Sequence, residues 1–187
     1  MHRIRSSQLF PSVFSRIAQT RKARRPTFQD QGILTLRLQQ KSVNDIPAGA
    51  RIAIPNDPSN EARTLLLLET TGLIKLRPDA GFKATPVDIV ENPKNIKFIE
   101  LEAAQLARSL DDVHAAAVNT NYALQAGLNP LDSLVREGPQ SRYICEVVVR
   151  RQDVDKPWVK QLVAAFQSPN VKEFIDKRFK GAVIAGW

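Results

Sequence analysis

Arg63 and Asn119 are two of the many side chains in this 187-residue chain whose chemistry could grip a small polar molecule. Arg63 carries a planar guanidinium whose parallel N–H groups match a carboxylate in a two-bonded fork. Asn119 offers a carboxamide that can both donate and accept. Each also has an ordinary reading. Taken alone, Arg63 is a surface cation on a helix, and Asn119 is a turn residue of a common kind. The segment Asn56-Asp-Pro-Ser-Asn60 could aim helix amides at an anion, but it reads first as a capped helix start. The single cysteine, Cys145, excludes an internal disulfide and any paired-cysteine metal or redox motif. With only His2 and His114 present, a histidine-based metal cluster is not expected. The sequence has no nucleophile elbow, zinc-protease helix, dinucleotide fingerprint or phosphate loop. No cofactor is implied, and the chain reads as a non-enzyme.

The elements that must position these residues alternate between strand and helix from residue 42 onward. Residues 51–54 form a short strand candidate. A helix over 60–71 follows, with Pro58 near its start and Gly72 at its stop. Its four consecutive leucines make it apolar nearly all round, as in a helix packed between a sheet and other elements. A single helical turn is expected over 86–90, a strand over 96–101 and a short helix over 103–110. Residues 115–118 read as a buried strand. Asn119 therefore sits just past its end, where ligands meet α/β sheets. Asn121 and Tyr122 beside it are weaker candidates, one a turn residue and the other a packing residue. Another helix begins near Tyr122 and ends at Gly127. A strand is expected over 143–150, then helices over 156–167 and 169–179, the second capped by Ser168 and followed by Gly181. Such alternation predicts a parallel or mixed sheet covered on both faces.

Charge separates the front of the chain from the rest. The net charge is +8 and the isoelectric point near 9.9. Residues 1–41 hold nine of the basic groups and one acid, Asp30, which leaves 18 basic and 18 acidic groups in 42–187. The basic excess thus belongs to a tail and not to a face of the folded part, so no nucleic-acid partner is expected. Leu9, Phe10, Val13 and Phe14 are interrupted by Pro11, Ser12, Ser15 and Arg16, which breaks any secretory core. No cysteine near the start could carry a lipid. An Arg-rich, acid-poor front also suits an organellar transit peptide; the plainer reading of 1–41 is a disordered or non-native basic tail. As translated, such a chain would stay in the cytoplasm.

Several ordered segments resemble one family closely. They are Ile52-Ala-Ile-Pro-Asn-Asp-Pro-Ser-Asn-Glu-Ala-Arg63 with its leucine run, Thr85-Pro through Asp88-Ile-Val-Glu-Asn-Pro93, and Glu100-Leu-Glu-Ala-Ala-Gln-Leu106 with Ser109-Leu-Asp-Asp-Val113. Ala117-Val-Asn-Thr-Asn-Tyr-Ala123, Asp155-Lys-Pro-Trp158 and Phe179-Lys-Gly-Ala-Val-Ile184 complete the set. Over residues 42–187 the chain resembles the NlpA lipoprotein family of methionine-binding proteins. The resemblance implies an α/β, periplasmic-binding-protein-like (type II) fold of two lobes, here with the first lobe incomplete. Residues 42–124 would be the second lobe, and 125–187 the segment returning to the first.

The function so implied is capture of free methionine in an interlobe cleft for an ABC importer, with permease and ATPase subunits as partners at the cell envelope. An alternative is a truncated remnant that binds nothing. The resemblance places a carboxylate-binding arginine at Arg63 and a ligand amide at Asn119. It also places a family asparagine where this chain has Cys145, whose thiol is a weak substitute for a carboxamide. Glu146 stands beside it where an apolar residue is expected, and a buried carboxylate without a partner is costly. Both departures count against tight binding.

Overall fold

The computed structural model describes residues 27–30, 32–36, 42–137, 141, 143, 145–185 and 187; for 27–36, 145 and 146 the description is of the backbone. Its centre is a five-stranded mixed sheet. The strands are Gly32–Leu36 (β2), Arg51–Pro55 (β3), Lys97–Leu101 (β6), Ala115–Asn119 (β7) and Val135–Arg136 (β8), in the order β6-β3-β7-β2-β8. β3 runs parallel to β6 and β7, and β2 runs antiparallel to β7 and β8. A three-stranded antiparallel sheet joins Thr27–Asp30 (β1), Cys145–Glu146 (β9) and Val183–Ala185 (β10) in the order β10-β1-β9. Lys75–Leu76 (β4) and Ile89–Glu91 (β5) make a small ladder of their own.

Alternation along the strands sorts the interior into two cores. Ile52 and Ile54 of β3 and Ala115 and Ala117 of β7 join Ala62, Leu65 and Leu68 in one buried cluster. Ala53, Ala116 and Val118 face the other way and meet Leu106, Val113 and Ala123. That is the period-2 division expected of strands covered on both sides. The first face is covered by helix α1, Pro58–Thr70. Asp57 caps it by accepting from the Asn60 amide at 3.0 Å, and Pro58 supplies a first residue whose missing N–H costs nothing there. The helix stops at Thr71, after which Gly72 takes φ +76°. The other helices are Thr120–Gln125 (α2), Pro157–Phe166 (α3) and Pro169–Phe179 (α4). The Oγ of Ser168 accepts from the Val171 amide at the start of α4. At its end Lys180 is left-handed, at φ +47°, and Gly181 follows.

Three expectations need correction. Residues 27–30 and 32–36, placed in a basic tail, are strands; Phe28, Ile33 and Thr35 are strand-forming residue types that the charge count passes over. β8 belongs to the five-stranded sheet, and the chain reaches the three-stranded sheet at β9. The helix over 103–110 is a run of turns that ends in a 3-10 helix at Arg108–Asp111. Eight residues are few for a helix to nucleate, and the Ser109 hydroxyl bonds the Leu106 carbonyl instead. Of the strand over 143–150, only Cys145 and Glu146 pair among the described residues. Their partner strand begins at Thr27, which stands opposite Glu146, and the described pairing ends there.

The leucine run tests this packing. Leu65 is fully buried in the α1 cluster, whereas Leu66 is only partly buried against it. Leu65→Ala is expected to lose about 2–5 kcal/mol in urea denaturation, and Leu66→Ala clearly less. Equal losses at the two positions would contradict the facing of α1 described here.

Candidate functional site

Strand direction and register bring the candidate residues to one edge. Asn119 ends β7, and α1 begins just past the end of the parallel strand β3. β8 is antiparallel to β2, which is antiparallel to β7, so β8 and β7 point the same way. In register, Gly32 pairs with Asn119 and Ile33 with Arg136. Glu137, the next residue after β8, is thereby carried to the same edge as Asn119. In parallel-stranded sheets, binding crevices lie at the carboxyl ends of strands.

A small, partly open cleft lies there, lined by Pro55, Asn60, Arg63, Thr64, Ala117, Asn119 and Glu137 among others. Arg63 and Asn119 therefore stand in one cavity, from α1 and β7 respectively. Arg63 is no surface cation: it is 8% exposed. Its Nε donates to Glu137 Oε2 at 2.8 Å, and its Nη2 donates to the same oxygen. The Tyr143 ring lies beneath the guanidinium, 5.0 Å from centroid to Cζ, and Phe82 meets that ring edge-on. Burial pushes the Tyr143 phenol up to about 12, with the Arg63 charge opposing and the Glu137 charge adding. The phenol is thus a neutral group beside the ion pair at physiological pH, and its oxygen is buried without a hydrogen-bond partner.

A second polar thread runs from the cap of α1. Asn60 Nδ2 donates to both oxygens of Asp57, at 3.1 and 2.9 Å. Asn60 Oδ1 in turn accepts from Asn119 Nδ2 at 2.9 Å. The remaining atom, Asn119 Oδ1, is buried and has no partner. The Asn56–Asn60 segment acts as a helix cap, since its own Asp57 takes the Asn60 amide of the first turn. Asn121 is exposed, and Tyr122 packs against the second core.

Cys145 is not placed by side chain. Its backbone lies in β9, opposite Phe28 of β1, and its thiol, like the Glu146 carboxylate, lies outside the described residues. Three residues now at the site escaped the sequence reading: Glu137, Asn60 as more than a cap, and Tyr143. An arginine on an apolar helix does signal the need for a carboxylate partner. Among 19 acids, nothing in the order of residues points to Glu137. Among the described residues, no group of His, Cys, Asp and Glu could hold a metal ion, and no helix is long and apolar enough to cross a membrane.

The buried pair makes a measurable statement. Glu137→Gln removes the carboxylate facing a guanidinium that water barely reaches, and is expected to cost about 3–5 kcal/mol. Replacing both members, Arg63→Met with Glu137→Met, should recover most of that loss. Simple additivity of the two single replacements in urea denaturation would show that the pair is not coupled.

Comparison with known proteins agrees with this architecture. The profile of the NlpA lipoprotein family matches residues 34–187. The D-methionine-binding lipoprotein MetQ of Escherichia coli K12 is 46% identical over 150 residues, covering 79% of this chain and 55% of the relative. A nutrient binding protein from Burkholderia cenocepacia, solved bound to methionine, is 51% identical with a TM-score of 0.80, covering 87% of this chain and 69% of that one. An ABC transporter periplasmic substrate-binding protein from Coxiella burnetii is 48% identical with a TM-score of 0.76, covering 86% and 67%. The chain thus spans about half the length of the curated relatives it matches, and it shares the periplasmic-binding-protein-like fold of the solved ones. This chain belongs to the NlpA lipoprotein family.

Proposed function

We propose that this chain captures free methionine in the cleft beside Arg63, as the solute-binding component of an ABC importer at the cell envelope. The observation that carries the reading is the convergence of Arg63 and Asn119 on one cleft, where a buried amide oxygen has no partner. The names of the relatives supply the ligand: one is called a D-methionine-binding lipoprotein, and one was solved with methionine. Permease and ATPase subunits are the partners this role requires.

The chemistry suits a zwitterion. Glu137 already balances the charge of Arg63, so an added anion would leave the buried edge with a net negative charge. A free amino acid brings its own ammonium and leaves the balance unchanged. Its carboxylate would share the Arg63 guanidinium, its ammonium would face the acceptors at the edge, and Leu67 and Ala117 would meet the thioether. Cys145, at the family asparagine position, would contribute little as a weak thiol donor.

Thermal melting tests the reading directly. L-Methionine at about 100 times its Kd stabilises the native state by about 2.7 kcal/mol, which raises Tm by roughly 5–10 °C in a chain of this size. Arg63→Lys keeps the charge but loses the fork, and should remove most of that shift. An unmoved Tm at millimolar methionine would favour the non-binding alternative. A full shift in Arg63→Lys would take the guanidinium out of the site.

A further inference from the structure

We propose that Asp57 and Asn60 are positioning residues that set the polarity of the cleft: they oblige Asn119 to present its carbonyl oxygen, and so commit the site to ligands that carry a free ammonium group. The inference rests on the methionine reading above and adds to it the origin of selectivity.

The argument begins with a group that cannot be turned around. An ionised aspartate only accepts hydrogen bonds. Both Asp57 oxygens face the Asn60 side-chain nitrogen, at 3.1 and 2.9 Å. Asp57 Oδ1 also takes the Asn60 backbone amide at 3.0 Å. Asn60 must therefore show its NH2 to Asp57 and its oxygen to Asn119. That oxygen needs a donor, and Asn119 Nδ2 meets it at 2.9 Å. The atom left over on Asn119 is then an oxygen. Rotating either amide by half a turn would set two acceptors or two donors face to face. A carboxylate two amides away thus dictates the sign of the free atom.

The free atom is buried and has no partner among the described residues, and Asn119 is one of the residues lining the cleft with Arg63 and Glu137. An unpaired buried acceptor calls for an N–H. A ligand carboxylate offers none and would repel it. An ammonium supplies donors and also sits well beside the Glu137 carboxylate. Methionine and its desamino analogue share the thioether and the carboxylate and differ only in that ammonium. The site should separate them sharply, because sites built around a hydrogen bond reject the analogue that lacks it.

Isothermal titration of the full chain with L-methionine and with the desamino analogue tests the relay. The wild type should prefer methionine by about 100-fold or more. Asp57→Asn keeps a good helix cap but replaces the acceptor-only group with one that can face either way. Asn60→Ala removes the middle of the relay without opposing the helix. Both variants should lose about tenfold or more of that preference, mainly through weaker methionine binding, while their melting curves stay cooperative. The preference of one ligand over the other is the diagnostic, because a merely structural role would weaken both together. An unchanged ratio in both variants, with methionine still bound by the wild type, overturns the relay alone. A wild type that binds neither ligand overturns the methionine reading, and the relay's role with it.

Discussion

A guanidinium held out of water must have an anion beside it, and the rest of this site is arranged around that requirement. Arg63 sits on α1, a helix buried over much of its surface, and is itself only 8% exposed. Leaving its charge unpaired there would cost more than most single contacts in the molecule contribute. Glu137 meets the need, and the two sit 74 residues apart in sequence. The topology makes this possible: two antiparallel pairings in succession return β8 to the direction of β7. The residue after β8 then emerges at the edge where α1 starts.

The same edge gathers its polar groups into two short lines. Asp57, Asn60 and Asn119 form one line of hydrogen bonds, and Arg63 and Glu137 form another. Apolar residues separate and dry them: Pro55, Leu67, Ala117 and Val118 line the cavity between. Low local polarity strengthens each paired bond and makes each unpaired atom costly. The two unpartnered polar atoms nearby, on Asn119 and Tyr143, are therefore informative, in a core whose apolar residues otherwise sort cleanly onto two faces. Local agreement with the fold breaks where a ligand is proposed to sit, as functional sites commonly show.

Much of the framework could be read from residue order, for identifiable reasons. β3, β6 and β7 carry uninterrupted apolar or alternating runs. α1, α3 and α4 are marked by Pro at the first turn, and α1 and α4 by a capping Asp or Ser as well. Their bounds lie within a few residues of those expected. β1, β2 and β8 have no such marks. They are two to five residues long, too short for the few strand-forming residue types within them to announce a strand, and pairing with distant strands completes them. Glu137 inherits that difficulty, since its place depends on the register of a two-residue strand. Arg63 and Asn119 stood out only through the family resemblance; their own residue types fit a surface cation and a turn. The relay through Asn60 was hidden for another reason. Its participants serve a helix cap first, and capping is a complete explanation until Asn119 is seen to touch them.

The long sequence interval between Arg63 and Glu137 has a further consequence for biosynthesis. A chain emerging from the ribosome can form β3, α1, β6 and β7 well before residue 137 is free to fold back. During that interval Arg63 has not met its carboxylate, and its helix has every reason to stay loosely docked. Arrival of β8 against β2 would then do two things at once: close the sheet and neutralise the cation beneath it. Assembly of the cleft and completion of the sheet thus become one event, which waits until residue 137 has emerged.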